Sequence, residues 1–270
     1  MCRWIAYKGS PRYLSSLVTE PEHSLIDQSL NAAEAKTMTN GDGFGLGWYG
    51  ERREPGLYRE VLPAWSDENL KHLVHQIRSP LFFAHVRAAT GTATTRANCH
   101  PFAHGRFLFM HNGQIGGYSR VRRRLEQRLP DELFPKRAGT TDSELIFLLA
   151  VAAGLETDPV GAMAQVLEMV RAEMLAAGIK DALRFTATLA DGETLYAFRY
   201  ASDGKAPTLY HCCCEDGTMV VSEPLDRCGR WVTVPSDHVL VCRTGAPCAI
   251  EPFVVAEPGL VAPGLAAAAE

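Results

Sequence analysis

No Cys-x-x-Cys pair occurs among the eight cysteines of this 270-residue chain, and their spacing matches neither a zinc site nor a disulfide framework. Cys212, Cys213 and Cys214 are consecutive in a β-prone stretch, where neighbours point to opposite faces; this suits buried core thiols better than a metal cage. The N-terminus lacks a basic segment followed by an apolar stretch, so no signal peptide is expected. The longest apolar helical stretch, Leu145 to Leu155, is too short to span a bilayer. Positive charge is in deficit, with 27 Lys and Arg against 31 Asp and Glu and a formal net charge of −4, which argues against a general nucleic-acid binder. The one basic run, Arg120 to Arg124 with Arg128, falls on a helical pattern in which Val121, Leu125 and Leu129 face inward and the arginines face water. A cytoplasmic, reducing setting follows as an expectation, with neither membrane nor nucleic acid as partner. The glycine-rich Gly41-Asp-Gly-Phe-Gly45 lacks the Lys-Ser/Thr of a phosphate loop and reads as a turn into a strand.

What is present is core material, 46% of the residues being hydrophobic. Strands are predicted around Cys2–Tyr7, Phe44–Tyr49, Leu81–Val86 and Phe107–His111, and later around Arg184–Ala190, Thr194–Tyr200, Leu209–Cys213, Met219–Ser222 and Val239–Arg243. Helices are predicted around His23–Ala35, Asp67–Gln76, Tyr118–Leu129, Thr141–Ala153 and Pro159–Ala176, the last with Asp158 as N-cap. Strands, a helical block and more strands suit an α+β arrangement of two sheets between helical layers. Residues 1–257 read as one domain and 258–270 as a loose Pro/Gly/Ala-rich tail.

Several residues admit a chemical reading beside a structural one. If Met1 is removed, Cys2 carries a thiol and a free α-amine, and an amine with pKa near ~8 is a usable base. Asn112-Gly113, after the apolar Phe107–Met110, reads by itself as a turn; the same pair can also supply two donors to an oxyanion. Arg87 closes an apolar strand, where it either lies at the sheet edge or binds a carboxylate with its planar fork, with Thr90 and Gly91 in a polar loop beyond it. Thr141-Asp-Ser-Glu144 looks like a capping box, yet Asp142 could accept from a substrate ammonium. Arg87 and Asp142 together would clamp an α-amino acid. His100, in Asn98-Cys-His-Pro-Phe102, could reach such a site or bond backbone.

In order, Cys2, the Gly-Asp-Gly turn, His-x-Arg-x-x-Thr, Asn-x-His-Pro, His-Asn-Gly and Thr-Asp-Ser-Glu resemble the motifs of the class II glutamine amidotransferases. The match runs from Cys2 to about Ala150, and Val220–Leu225 and Trp231–Pro235 extend it toward the stand-alone YafJ-type members. The resemblance implies a four-layer αββα sandwich of the N-terminal-nucleophile hydrolase type. It implies Cys2 as nucleophile, Asn112 and Gly113 as oxyanion hole, Arg87 with Thr90 on the glutamine α-carboxylate, Asp142 on its α-amine, and His100 near the site. No cofactor and no metal are implied. Ala88 departs from the aromatic residue that follows the arginine in some synthase-linked members. The amidotransferase part uses essentially the whole chain, so a separate synthase subunit is a possible partner, or the chain simply hydrolyses a γ-glutamyl amide. Other readings are a γ-glutamyl-hercynylcysteine-sulfoxide hydrolase-like enzyme and a non-catalytic binding protein on the same fold.

Overall fold

Strands that are apolar at nearly every position need cover on both faces. The computed structural model, which describes residues 2–34, 39–89 and 91–258, supplies it. The strands are β1 (Arg3–Tyr13), β2 (Phe44–Trp48), β3 (Gly56–Glu60), β4 (Arg78–Val86), β5 (Phe102–His104), β6 (Phe107–Ile115), β7 (Leu183–Ala190), β8 (Leu195–Ala201), β9 (Tyr210–Cys214), β10 (Gly217–Val221), β11 (Val232–Thr233), β12 (His238–Cys242) and β13 (Ala249–Pro252). They form a seven-stranded sheet in the order β11, β9, β10, β1, β4, β2, β3 and a six-stranded sheet in the order β13, β12, β8, β7, β6, β5. The helices are α1 (Ser15–Val18), α2 (Leu25–Leu30), α3 (Glu68–Gln76), α4 (Tyr118–Glu126), α5 (Asp142–Ala152) and α6 (Pro159–Ala176).

The period-2 alternation of each strand divides the apolar residues among three layers of core. Ile5, Tyr7, Phe82 and Ala84 face outward and pack against Leu17, Leu25, Leu70 and Val74 of α1, α2 and α3. Trp4, Ala6, Leu81 and Phe83 face the other way and meet Leu108, Met110, Ala190 and Ala197 of the second sheet. That sheet's outer face, with Phe109, Phe185 and Phe198, packs under Val121, Leu145, Phe147 and Val166 of α4, α5 and α6. Phe109 and Phe147 stack with ring centroids 5.2 Å apart. The result is the αββα sandwich that the resemblance implies.

Several elements differ from their sequence-based expectation. The helix expected over 23–35 stops at Leu30, because the Ala33 and Glu34 N–H groups turn away to the Glu223 carboxylate at 2.8 and 3.0 Å; Ala35 lies outside the described residues. Asn112-Gly113 is no turn: β6 runs through both, pairing Asn112 with Thr186 and Gly113 with Phe185. Asn-Gly signals a turn only where the chain must reverse, and here the apolar pattern resumes at Ile115. Four short strands, β3, β5, β11 and β13, were not legible because none carries a sustained alternating pattern.

The cysteines also correct an expectation. Cys242 and Cys248 form a disulfide that joins β12 to the start of β13, a pairing that separation in sequence does not reveal. Of the consecutive trio, only Cys212 is buried, while Cys213 is exposed on the opposite face. Cys214 lies partly exposed beside Cys212. Gly259 onward lies outside the described residues, and with it nearly all of the expected loose tail.

Candidate active site

Cys2 precedes a strand at the centre of the seven-stranded sheet, and the alternation that turns Trp4 inward turns Cys2 inward too. Arg3 pairs with Val86, so Cys2 and Arg87 leave the β1–β4 ladder side by side. Asn112 lies on the inward face of β6, and its Nδ2 donates to the Cys2 carbonyl at 2.9 Å, tying the two sheets together at this edge. Asp142 opens α5 with one carboxylate oxygen accepting from the Ile115 N–H and the other from the Ser143 N–H, both at 2.9 Å. Cys2, Arg87, His100, Asn112, Gly113 and Asp142 all line one cleft of about 400 Å³. Six of the seven expected site residues therefore converge, and the seventh, Thr90, lies outside the described residues.

The Cys2 thiol is half-buried, and its Sγ accepts from the Ala88 N–H at 3.4 Å. Burial pushes its pKa up; the Ala88 N–H and the charges of Arg87 and Arg3 oppose that rise without cancelling it. A thiol held in its neutral form needs a base before it can attack. Beneath it, Arg3 is fully buried and pairs with Glu223 at 3.3 Å. Glu223 also meets His23 Nε2 at 2.6 Å. Burial acts to raise the Glu223 pKa, yet bonds from His23 and the Glu34 and Ala33 N–H groups, with the Arg3 charge, bring it below the ordinary value. This network anchors the end of β1 from which Cys2 projects.

Arg87 is buried and held in place from three sides. Nη1 donates to the Asp42 carbonyl at 3.2 Å, and Nη2 to Thr92 Oγ1 at 2.7 Å and the Ala93 carbonyl at 3.3 Å. The Asp42 side chain accepts from the Ala89 N–H at 2.8 Å, bracing the loop after β4. The glycine-rich segment read only as a turn thus supplies a brace for the arginine, and nothing in its spacing signals that. Thr92 was likewise missed; as one threonine in a polar loop it carries no pattern.

Gly113 has φ of +151°, and a Cβ there would collide with the Arg184 carbonyl, so the backbone beside Asn112 is open to the cleft only as glycine. Next to it, His111 faces α5, with Nδ1 2.8 Å from Ser143 Oγ and Nε2 3.3 Å from the Arg184 carbonyl. A carbonyl can only accept, which assigns the proton of the neutral ring to Nε2 and makes Nδ1 the acceptor from Ser143. The capping box expected at Thr141 is half formed. Thr141 Oγ1 accepts from the Glu144 N–H at 3.2 Å. The Glu144 carboxylate instead accepts from the Ala138 and Gly139 N–H groups at 3.0 and 2.7 Å, shaping the loop before α5.

His100 stacks on His85, centroids 4.4 Å apart. Gly45, paired with His85, lets the His100 backbone close onto the sheet, where any Cβ would meet the His100 carbonyl. Burial lowers the His85 pKa to about 3 and the His100 pKa well below its usual value, with the Arg87 charge adding to both. Both rings are therefore neutral at physiological pH, and their ring nitrogens have no hydrogen-bond partner among the described residues. His100 lines the cleft, and its ring makes no hydrogen bond to backbone among the described residues. Asn98, from the same motif, spans the loops by donating to the Ala93 carbonyl at 2.9 Å and accepting from the Thr140 N–H at 2.8 Å.

Two antiparallel sheets between helices, with a cysteine at the head of a central strand and the cleft at its mouth, define the N-terminal-nucleophile hydrolase type of fold. The comparisons with known proteins are narrower. The family model described as glutamine amidotransferases class-II matches residues 16–213. The protein named probable glutamine amidotransferase DUG3, from Saccharomyces cerevisiae, is 32% identical over 294 aligned residues, covering 90% of this chain and 82% of that protein. The gamma-glutamyl-hercynylcysteine sulfoxide hydrolase of Mycolicibacterium smegmatis is 30% identical, covering 90% of this chain and 96% of that one. A solved glutamine aminotransferase class-II domain protein from Silicibacter pomeroyi superposes with a TM-score of 0.76 at 39% identity, over 94% of this chain and 100% of that one. The chain belongs to the class II glutamine amidotransferases. Among the described residues, no helix is long and apolar enough to cross a membrane, and no cluster of His, Cys, Asp or Glu could hold a metal ion.

Proposed function

We propose that this chain cleaves the γ-amide of L-glutamine, or of a γ-glutamyl compound, through a thioester on Cys2. The observation that carries the reading is the convergence of a thiol, a guanidinium, an amide donor and a carboxylate in one cleft. Arg87 takes the α-carboxylate of the substrate and Asp142 its α-ammonium, which leaves the γ-carbonyl to reach Cys2. After removal of Met1, the α-amine of Cys2 takes the thiol proton. This answers the elevated thiol pKa, because a neutral thiol gains most from a base held on the same residue. As Sγ attacks, charge develops on the carbonyl oxygen, and the second Nδ2 hydrogen of Asn112 with the Gly113 N–H stabilises it. The protonated amine then delivers its proton to the departing ammonia or amine, and water hydrolyses the thioester to free the glutamyl product.

Glutamine and larger γ-glutamyl amides both remain within this chemistry, since the clamp recognises only the glutamyl half. The test is release of ammonia from L-glutamine, and of amine from γ-glutamyl amides, by the purified chain. Cys2→Ser is expected to abolish release at least about a thousandfold. Turnover retained by Cys2→Ser would refute the thioester.

A further inference from the structure

The outer end of β9 carries chemistry that the cleft does not use. Cys212 and Cys214 share one face of the strand with sulfurs 3.6 Å apart. Cys228 approaches from the segment between β10 and β11, and a single guanidinium serves both sides. Arg230 Nε lies 3.3 Å from Cys228 Sγ, and its Nη1 lies 3.9 Å from Cys214 Sγ. Cys228 and Arg230 are exposed, while Cys214 and Arg230 line a second cleft of about 470 Å³ with Tyr7, Arg12 and Trp231. Reactive cysteines sit in electropositive, solvent-accessible surroundings, and two free thiols about one guanidinium, with Cys228 open to solvent, fit that description.

We propose that Cys228 and Cys214 form a hydroperoxide-reactive dithiol site, with Arg230 as the positioning residue that bridges the two sulfurs. The Cys228 thiolate attacks the outer oxygen of a hydroperoxide. The O–O bond breaks, the alcohol (water, for hydrogen peroxide) leaves with a proton, and a sulfenic acid remains on Cys228. Cys214 attacks that sulfur, its proton leaves with the expelled hydroxide as water, and a Cys214–Cys228 disulfide forms. Two thiols are oxidised and one peroxide is reduced, so no other reactant is needed. Cys212 is not the attacking group, because it is the buried member of the trio, its pKa raised to about 11 mainly by burial. The new link would enclose β10 and Glu223, the partner of Arg3 beneath Cys2.

The experiment treats the reduced, full-length chain with hydrogen peroxide and follows intact mass, then maps peptides without reduction. The expected result is a Cys214–Cys228 cross-link, with Cys214→Ser instead leaving a sulfenic acid on Cys228 that dimedone traps. Arg230→Gln should slow the cross-link about tenfold while leaving the melting temperature in place. A cross-link that forms equally fast in Arg230→Gln would overturn the role of the guanidinium. Oxidation that maps to Cys213 or to Cys212–Cys214 in place of Cys228 would overturn the site. Cys2 is read separately in the same peptide map, so loss of its reactivity leaves this result interpretable.

Discussion

Replacing Glu223 by Gln tests whether the end of β1 is held by a buried charge pair. Arg3 is fully buried and Glu223 is 2% exposed, so the variant leaves a guanidinium out of water facing a neutral amide. Removing one partner of such a pair destabilises by about 3–5 kcal/mol, and Gln has one carbonyl oxygen for two backbone N–H groups that reach different Glu223 oxygens, so the expected cost is at least about 3 kcal/mol. For a domain of this size that is a fall in melting temperature of roughly 6–12 °C. The pH dependence has a definite sign. The folded Glu223 carboxyl lies below its ordinary value, so its stabilisation is complete above the unfolded value of about 4.3 and is lost as pH falls through the folded one. Thermal unfolding followed downward from neutral pH should therefore show a gap between wild type and variant that holds above the unfolded value and narrows as pH falls through the folded one. Arg3→Met combined with Glu223→Gln should cost less than the sum of the two singles, by about 1–3 kcal/mol. A neutral-pH loss under about 1 kcal/mol, or additivity of the pair, would refute the reasoning.

Further outcomes follow from the cleft. Asn112→Ala removes the expected oxyanion donor and should lower kcat for glutamine hydrolysis by about 10²–10³-fold; steady-state kinetics showing a change confined to KM would contradict that role. Asp142→Asn retains one of the two acceptor oxygens used by the backbone and loses the charge facing the substrate ammonium, so kcat/KM should fall about 10- to 100-fold, seen largely in KM. His85 stays neutral when folded down to about pH 3, whereas an unfolded histidine takes up a proton below about 6.5. Stability should decline between those values as pH falls, and urea denaturation of His85→Phe should show a shallower decline over the same window.

The sandwich was legible because its central strands and long helices carry strong periodic patterns. α6 falls over the residues expected, with Asp158 Oδ1 accepting from the Gly161 N–H at 2.9 Å as its cap. The arginine run on α4 lies as expected with Val121 and Leu125 buried, though the helix stops at Glu126, short of Leu129; Arg122 pairs with Glu126, and Arg128, beyond the helix, with Glu173. The site was legible as an ordered set of motifs, whereas its supports were not. Asp42 bracing Arg87, Glu223 pairing with Arg3, and Glu144 shaping the loop before α5 are contacts between residues distant in the chain or in unpatterned loops. Asn112-Gly113 shows the converse failure. Local propensity favoured a turn, and pairing with β7 overrode it, placing the amide where an in-strand residue can face Cys2.

The most direct test of the account is the intact mass of the purified chain before and after exposure to 6-diazo-5-oxo-L-norleucine, a glutamine-like electrophile. The account predicts a chain lacking Met1 that gains a single adduct on Cys2, with glutamine protecting against it. A chain that retains Met1 and takes no adduct would contradict the catalytic reading and leave a binding protein on the same fold.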